Sequence, residues 1–434
     1  MHRDLLKELK AWRGSPQRKP LLLHGARQVG KTYLLKKFGE EYRDVAYFNF
    51  EFDPQLDSLF QGKLDPQLLI EKLSIYRERK IVPRETLVIF DEIQESDKAL
   101  NSLKYFSEFS PDFHLAAAGS LLGIKLSKTT GFPVGKVNFL TLAPMSFLEF
   151  LSAVGKENLR GYIETLRSVE PLPEAFHQEL IDWLKKYLLI GGMPEAVASY
   201  AEHQDFEKVR EIQQDILKAY QLDFSKHVSA SDILKIAAIW NSVPSQLAKE
   251  NKKFIFTALR KSARAREYES ALQWLDDAGL IHKSYYLPTP KLPFDAYAKK
   301  DFFKIYMLDV GLLGSMSRLP PKVILEGDRL FQEFAGALAE NYVAQSLVAS
   351  NTQAGLYYWT SEGIAELDFV TLIGGSVVPL EVKAGVGRGK KSLLVFQKKY
   401  KPQKICRASL RNLKRDGNFI NIPLYLVGQM GHLL

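Results

Sequence analysis

Short apolar runs alternate with longer amphipathic stretches in the first third of the chain. The runs are LLLHG from residue 21, VAYFNFE from residue 45, TLVIFDE from residue 86, FHLAAAGS from residue 113 and VNFLTL from residue 137. Such alternation is typical of strands joined by crossover helices that cover a mostly parallel sheet. The pattern therefore predicts an α/β domain over residues 1–155.

Long amphipathic segments dominate the next part of the chain, residues 156–228. The segment that starts at Ala175 is broken at Gly191, Gly192 and Pro194, which are residue types that end helices. We expect a helical lid that follows the sheet.

Residues 229–317 have the rhythm of a winged helix-turn-helix. Val243, Leu247 and Ala248 suit a short second helix, and a strand is expected after Gly279. Basic residues gather at the turn and the early third helix, namely Lys252, Lys253, Arg260, Lys261, Arg264 and Arg266. These cations would meet backbone phosphates if that helix entered a major groove. An internal packing unit or a protein-binding surface explains the module equally well, because basic residues alone do not establish base readout.

After the breaker RLPPK, residues 318–434 show helix, hairpin, helix and strand patterns. In AELDFVTLIGGSVVPLEVKAG, the Gly-Gly pair permits a primed hairpin turn between two strands. Counting outward from that turn places Asp368 opposite Glu381, with Lys383 on the same face as Glu381. Directly opposed carboxylates destabilise a hairpin unless positive charge lies between them, and a divalent metal with oxygen ligands would supply it.

The composition is that of an ordinary globular protein, with 46% hydrophobic and 25% charged residues in 434. That length suggests about three domains.

The single cysteine, Cys406, excludes an intramolecular disulfide framework and fits a reducing cytosol. Leu5, Leu6, Leu9 and Trp12 share one face of an N-terminal helix that does not resemble an export signal, and no run reaches the ~18 apolar residues of a membrane span. We therefore expect a cytoplasmic protein without a membrane partner. The net charge of +9 alone does not identify a partner.

The stretch GARQVGKT fits a phosphate-binding loop of the form G-x-x-x-x-G-K-T. Its glycines let successive backbone amides turn toward phosphates. Lys31 would neutralise the β- and γ-phosphate oxygens, Thr32 would hold Mg²⁺, and the following helix would present its positive end to the same anions. The expected nucleotide-binding residues of this loop are Gly25, Ala26, Arg27, Gln28, Val29, Gly30, Lys31, Thr32 and Tyr33.

A second motif supports the first. TLVIFDEIQE is an apolar strand that ends in two acids, Asp91 and Glu92, and charge beside a buried strand is costly unless metal or hydrogen bonds compensate for it. Asp91 would hold the Mg²⁺ shell, and Glu92 would orient or deprotonate the attacking water. Ser120, at the end of FHLAAAGS, would contact the γ-phosphate or the water, or else cap a helix.

The combination of GARQVGKT, FNFE, VIFDEIQ, AAAGS, LAPMSFLEFL and GGMPEAV resembles a group of prokaryotic AAA-type P-loop ATPases fused to a C-terminal domain of unknown function. DFSKH, WNSVPSQLAKENKKF and YMLDVGLLG extend the resemblance over nearly the whole chain. The resemblance implies binding and hydrolysis of ATP with Mg²⁺. Relatives often carry Gly-Arg ahead of LTLAPMSF, whereas this chain has Gly135-Lys136, so we assign no arginine finger.

The acid on one strand followed by Glu-x-Lys on the next resembles the core of the PD-(D/E)xK nuclease superfamily. The resemblance implies that Asp368 and Glu381 bind Mg²⁺, that Glu340 completes the site, and that Lys383 positions water or stabilises the phosphorane charge. The superfamily's proline before the aspartate is absent, with Leu367 in its place. The same fold also occurs as an inactive scaffold, and a Glu-x-Lys strand can be a surface ion pair.

We therefore expect an α/β protein with an AAA-type P-loop sheet, a helical lid, a winged-helix module and a restriction-endonuclease-like domain. Its expected function is ATP hydrolysis coupled to a nucleic-acid-binding or nucleolytic C-terminal domain, with DNA or RNA as partner. The alternative is a nucleotide-gated switch or protein-binding ATPase with an inactive nuclease-like scaffold, including a signalling or defence ATPase. Oligomeric state is left open.

Overall fold

The computed structural model describes residues 1–120, 122–124, 135–225, 230–249, 252–326, 332–350, 355–361, 365–385 and 389–434. The contacts within the chain define two compact units. One unit comprises residues 3–143 with 277–279, and the other comprises 1–2, 144–276 and 280–434. Within the described ranges, no helix combines the length and the hydropathy needed to cross a bilayer.

Five parallel strands form the sheet of the first unit, in the order β2-β3-β4-β1-β5. Their bounds are β1 Leu21–His24, β2 Asp44–Asn49, β3 Thr86–Asp91, β4 His114–Gly119 and β5 Asn138–Thr141. All five apolar runs are strands, as the sequence predicts. The central strands β3 and β4 are buried along their whole length, because helices cover both faces of a parallel sheet.

Helices surround this sheet. Their bounds are Leu6–Gly14, Lys31–Gly39, Leu56–Leu59, Pro66–Tyr76 and Asp97–Phe109, with a 3₁₀ turn at Ile93–Glu95. Asp65 caps one helix by accepting hydrogen bonds from the next backbone amides, and Ser96 caps another. Buried Phe50, Phe60 and Phe90 pack against one another in the core of the unit. The predicted N-terminal helix is present.

The second unit begins with five helices. Their bounds are Phe147–Ala153, Glu157–Thr165, Glu174–Ile190, Pro194–His203 and Phe206–Asp223. The expected break lies where predicted, since Gly191 takes a φ of +75° after the third of these helices. The buried Asp309 carboxylate accepts hydrogen bonds from the amides of Gly192 and Leu312. A Cβ at position 191 would overlap that carboxylate, so glycine is required there.

The predicted short second helix of the winged-helix module is wrong. Val243 and Leu247 belong to a continuous helix, Ala230–Leu247, that contains Pro244. Its buried stripe consists of Ile236, Ile239, Trp240, Val243 and Leu247. This helical spacing continues through the proline, so packing keeps the segment as one helix. The third helix, Ala265–Asp277, and the strand after Gly279 are present.

A four-stranded sheet joins residues on both sides of the expected boundary at residue 317. Its order is β7-β6-β8-β9, with β6 Ile281–Tyr286, β7 Lys299–Met307, β8 Leu356–Ser361 and β9 Ala365–Leu367. Strand β6 pairs antiparallel with β7 and parallel with β8. The helix Gln332–Ala349 adds a further link, since the Asn341 side chain bonds both backbone groups of Met307.

The last sheet is mixed, in the order β10-β11-β12-β14-β13. Its strands are β10 Phe369–Ile373, β11 Ser376–Val382, β12 Ile405–Ser409, β13 Lys414–Asp416 and β14 Phe419–Pro423. Parallel strands β11 and β12 are connected through the helix Lys391–Tyr400. Further helices are Phe294–Tyr297, Val310–Met316, Pro321–Glu326 and Met430–Leu433, with 3₁₀ turns at Phe256–Ala258 and Leu424–Gln429.

Candidate nucleotide site and C-terminal carboxylate cluster

The phosphate-binding loop joins the end of β1 to the helix Lys31–Gly39. Gly25 takes a φ of +148°, and a Cβ there would overlap the carbonyl of Leu142. Gly30 takes a φ of +93° directly before the helix. Both positions need glycine because of these backbone angles. The loop is therefore folded so that the amides at the start of the helix are available to an anion.

Lys31 is the buried cation of this loop. Its side chain is 6% exposed, and its Nζ donates hydrogen bonds to the carbonyls of Gly25 at 2.9 Å and Ala26 at 2.8 Å. Burial lowers the pKa of Lys31 to about 8, although Glu92 and Asp91 oppose that shift. A buried ammonium next to two carboxylates suits a site that receives a highly charged anion.

Thr32 and Asp91 lie in direct contact. The Thr32 hydroxyl and the Tyr47 hydroxyl each donate a hydrogen bond of 2.7 Å to Asp91 Oδ2. Burial is the main cause that raises the pKa of Tyr47 to about 12, so this phenol remains a donor near neutral pH. A threonine hydroxyl and a carboxylate are oxygen ligands that suit Mg²⁺, so these two residues fit the expected metal.

Glu92 is held at the sheet edge by two neighbours. Its Oε2 accepts hydrogen bonds from Gln94 Nε2 at 2.7 Å, and from the Ser120 amide and hydroxyl at 3.2 and 3.1 Å. Glu92 itself adopts the left-handed conformation, with a φ of +50°. This conformation directs the chain away from the end of β3 and into the 3₁₀ turn. The structure thus brings together Lys31, Thr32, Asp91, Glu92 and Ser120 from three strand ends.

The rest of the predicted loop is more peripheral. Ala26 and Val29 are buried, Tyr33 is exposed, and an Arg27 guanidinium nitrogen lies 4.0 Å from Glu51. Lys136, at the position where relatives often carry arginine, forms an ion pair with Glu108 at 3.0 Å.

Tyr47 and Gln94 were not predicted from the sequence. Tyr47 reaches Asp91 because β2 pairs with β3, with Asn49 opposite Asp91, and a sequence does not show which strands are neighbours. Gln94 lies only two residues after Glu92 and is buried. Among the described residues its Oε1 has no hydrogen-bond partner. The available signal in the sequence is the glutamine itself, an amide two residues after the acid.

The C-terminal hairpin has the predicted register. Ile373 pairs with Ser376 and Phe369 pairs with Leu380, so Asp368 lies opposite Glu381. Gly374 and Gly375 both have positive φ, at +55° and +75°, as a type I′ turn requires.

The carboxylates of this hairpin are held by the backbone and by lysines. Asp368 Oδ2 accepts a hydrogen bond from the Val382 amide at 2.7 Å. Lys383 Nζ lies 3.1 Å from Glu381 Oε1. Glu381 Oε2 is buried and has no hydrogen-bond partner within the described part of the chain. Burial raises the pKa of Glu381, with Lys383 opposing the shift.

Glu340 lies in the same cluster, as expected, but it already has a cationic partner. Burial and the Asp368 carboxylate raise the pKa of Glu340, whereas Lys252 and Lys304 lower it. Lys252 forms a short ion pair with Glu340, and the Tyr306 hydroxyl donates to Glu340 at 3.4 Å. Two of the basic residues expected to meet phosphates therefore have other contacts. Lys252 forms an ion pair with a carboxylate, and the Nζ of Lys253 lies 3.8 Å from the centre of the Phe302 ring.

Lys304 is a buried cation that the sequence analysis did not identify. Its side chain is 1% exposed and forms an ion pair with Glu366. Burial lowers the pKa of Lys304, but Glu340, Glu366 and Asp368 outweigh that effect and raise it overall. In the described ranges, no three His, Cys, Asp or Glu residues are arranged to hold a metal ion. The oxygen donors of Glu340, Asp368 and Glu381 suit Mg²⁺ chemically, while Lys252, Lys304 and Lys383 neutralise part of their charge.

The parallel sheet and the glycine-lysine loop have the arrangement of a P-loop nucleotide-binding domain in the N-terminal part of the chain. Residues 17–151 match the family described as AAA domain. Residues 181–323 and 335–427 match two families described as domains of unknown function, DUF8612 and DUF4143. No curated protein is significantly similar to the chain.

Solved structures with some similarity include two proteins described as ATPases. A Walker-type ATPase of Pyrococcus abyssi is 16% identical with a TM-score of 0.42, over 72% of this chain and 95% of that one. A signal transduction ATPase with numerous domains from Pyrococcus horikoshii is 13% identical with a TM-score of 0.27, over 81% and 48% of the two chains. The Orc1 protein of Aeropyrum pernix, solved with DNA, is 12% identical with a TM-score of 0.25, over 73% and 91%.

Proposed function

We propose that this protein hydrolyses ATP with Mg²⁺ and couples the hydrolysis to a C-terminal region that acts on nucleic acid. The observation that supports hydrolysis most directly is the convergence of a buried ammonium, a hydroxyl and two carboxylates at one sheet edge. These groups belong to Lys31, Thr32, Asp91 and Glu92. They are the groups that phosphoryl transfer to water needs.

The loop binds the triphosphate in this proposal. Backbone amides from Gly25 to Tyr33 and the positive end of the following helix donate to the phosphates. Lys31 exchanges its bonds to the carbonyls of Gly25 and Ala26 for the β- and γ-phosphate oxygens. Thr32 and Asp91 would hold Mg²⁺, which supplies charge neutralisation on the phosphates.

Glu92 is the proposed general base. The water oxygen forms a bond to the γ-phosphorus while the bond from that phosphorus to the bridging oxygen of ADP breaks, and Glu92 accepts the water proton. Ser120 and Gln94 hold the carboxylate in its present orientation. Ser120, which donates to Glu92, is also the proposed contact of the γ-phosphate or the water.

Two variants test this proposal. Lys31→Ala should lose ATP binding and turnover with the fold intact. Glu92→Gln should bind ATP like the wild type and turn it over about 10²- to 10⁴-fold more slowly. Calorimetry with ATP and Mg²⁺ measures binding, and phosphate release measures turnover. Wild-type turnover in Lys31→Ala would refute the site, and wild-type turnover in Glu92→Gln would remove Glu92 from the base role.

The C-terminal part of the proposal rests on the cluster of Glu340, Asp368 and Glu381 beside Lys383. Acid, Glu-x-Lys and a mixed sheet together suit metal-assisted cleavage of a phosphodiester, with Lys383 placed to position water or stabilise charge on phosphorus. Plasmid DNA and structured RNA incubated with Mg²⁺ or Mn²⁺, with and without ATP, test for cleavage. Cleavage that Asp368→Ala abolishes supports a nuclease.

A second function is favoured by a specific observation, the ion pair between Lys252 and Glu340. A lysine on one of the expected metal ligands suits a scaffold that binds without cutting. The protein would then be a nucleotide-gated switch or an ATPase with protein partners. Salt-sensitive nucleic-acid binding without cleavage under any condition would favour this function over the nuclease.

A further inference from the structure

The positive charge of this chain is concentrated in one segment near its C-terminus. Residues 382–415, here called the acid-free segment, contain twelve of the 59 Lys and Arg residues and none of the 50 Asp and Glu residues. The other 400 residues therefore carry 47 basic and 50 acidic side chains. The whole net charge of +9 thus originates from these 34 residues.

The helix of this segment, Lys391–Tyr400, has one apolar face and one cationic face. Leu393 and Phe396 are fully buried. Lys391, Leu394, Lys398 and Lys401 are exposed, and their spacing of three, four and three residues places them on one side of the helix. Within the described part of the chain, none of these three lysines has an ion-pair partner. We call Lys391, Lys398 and Lys401 the lysine stripe.

A hollow of about 480 Å³ lies along this stripe. Its lining residues are Leu394, Gln397, Lys398, Lys401, Pro402 and Asn418. The hollow thus offers two ammonium groups and two side-chain amides beside a small apolar surface. Gln397 Nε2 donates to Asn418 Oδ1 at 3.2 Å, which fixes the amides at its wall. Asp416, on β13, is the first acid after the segment and is exposed.

We propose that the lysine stripe and its hollow are the surface on which the sugar-phosphate backbone of a nucleic acid docks. This proposal rests on the proposed function and specifies where its nucleic-acid partner binds. From Lys391 to Lys401 the helix rises about 15 Å, enough to follow about four phosphates of one strand. Lysines without acidic neighbours neutralise phosphates and release their counterions.

An acidic protein or an anionic membrane is less suited to this surface. Leu394 is the large apolar side chain exposed on this face, 54% exposed, whereas a membrane-binding helix buries a broad apolar face in lipid. A protein partner would be recognised by a mixture of charged and polar groups of both kinds. The stripe presents lysines only. The amides beside the lysines suit phosphate and sugar oxygens.

The test compares the full-length wild type with three triple variants. K391Q/K398Q/K401Q removes the stripe, and K391R/K398R/K401R keeps its charge. The matched control K63Q/K185Q/K218Q removes three lysines that each lie beside an aspartate elsewhere. Fluorescence anisotropy with labelled duplex DNA and structured RNA, from 50 to 200 mM salt, measures affinity. Helical content is checked by circular dichroism, since lysines near a helix C-terminus also stabilise the helix.

The Gln variant should bind about 10- to 100-fold more weakly at low salt, with a salt slope smaller by about 3, because each lysine contributes about 0.9. The Arg variant and the control should bind like the wild type.

Equal binding by the folded Gln variant and the wild type would overturn the proposal while leaving a nucleic-acid partner in place. Failure of the wild type to bind either probe would overturn it together with the nucleic-acid part of the proposed function, and ATP turnover on the same material reports the ATPase separately. Stronger competition by polyglutamate or phosphatidylserine vesicles than by unlabelled duplex would also contradict it.

Discussion

Thr32 donates a hydrogen bond to Asp91 across a separation of 59 residues. The hydroxyl lies in the first turn of the helix after the phosphate-binding loop, and the carboxylate belongs to the last residue of β3. Two motifs that the sequence shows separately are therefore one site. The contact also places the two expected magnesium ligands side by side.

Two replacements of Thr32 should distinguish the contribution of its hydroxyl from the contribution of its side-chain shape. Thr32→Ser keeps the oxygen and should retain Mg²⁺-dependent ATP binding within about threefold of the wild type. Thr32→Val keeps the branched side chain, removes the ligand oxygen, and should weaken that binding at least ~10-fold. Calorimetry at several Mg²⁺ concentrations measures both. Equal Mg²⁺ dependence of the two variants would exclude Thr32 as a metal ligand.

Gln94 should act as a positioning residue for Glu92. Gln94→Ala removes the donor to Glu92 Oε2, so the carboxylate gains freedom while the loop that binds phosphate is untouched. We expect kcat to fall ~10-fold or more with the Kd for ATP unchanged. Steady-state kinetics and calorimetry on the same sample check this split. A parallel loss of affinity would indicate instead that the variant disturbs the loop.

Lys31 should make the protein without nucleotide less stable. Its pKa is lowered to about 8 from 10.5, so the unfolded state binds more protons between these two values. The penalty is fully present below pH 8 and disappears as pH rises toward 10.5. Lys31→Met removes a buried charge and two hydrogen bonds, and should raise the free energy of unfolding by about 1 to 2 kcal/mol near pH 7.

Urea unfolding at pH 7 and pH 10 measures this difference. The gain of Lys31→Met over the wild type should shrink at the higher pH. ATP with Mg²⁺ should reverse the order at pH 7, because the nucleotide stabilises the wild type and not the variant. A variant that is less stable than the wild type at pH 7 without ATP would show that burial of the Lys31 ammonium does not lower the free energy of unfolding.

Lys252 should compete with a metal ion in the carboxylate cluster. Lys252→Gln removes the cation from Glu340, so Mn²⁺ should bind there about tenfold more tightly in the absence of ATP. Lys283→Gln is the control, because the Lys283 side chain is buried to a similar degree and forms an ion pair with Asp276, outside the cluster. Mn²⁺ binding is followed by electron paramagnetic resonance. Equal affinity in wild type, variant and control would show that no metal site lies beneath Lys252.

Local patterns predicted the strands of the N-terminal sheet and the register of the C-terminal hairpin. The five strands, the glycine positions of the loop and the hairpin register all depend on residues close together in sequence. The Gly374-Gly375 turn fixes the register of Asp368 and Glu381 by counting alone. Such features follow from backbone geometry, which the positions of glycines and the alternation of apolar residues indicate directly.

Features that depend on distant packing were not predicted. Tyr47 reaches Asp91 through strand order, and Lys252 reaches Glu340 through an ion pair across 88 residues. The helix Ala230–Leu247 continues past Pro244 because its buried face continues. For Tyr47 and Lys252 the partner lies far along the chain, so residue type and spacing give no indication of it.

The parallel pairing of β6 with β8 has a practical consequence for dissecting this polypeptide. A truncated chain that stops at residue 317 would leave β6 with an unpaired edge, open to self-association in solution. The complementary fragment would lack Met307, whose backbone amide and carbonyl are hydrogen-bonded to the side chain of Asn341. Activities of the C-terminal region are therefore best assigned by point substitution in the intact chain, and proteolytic halves are expected to precipitate.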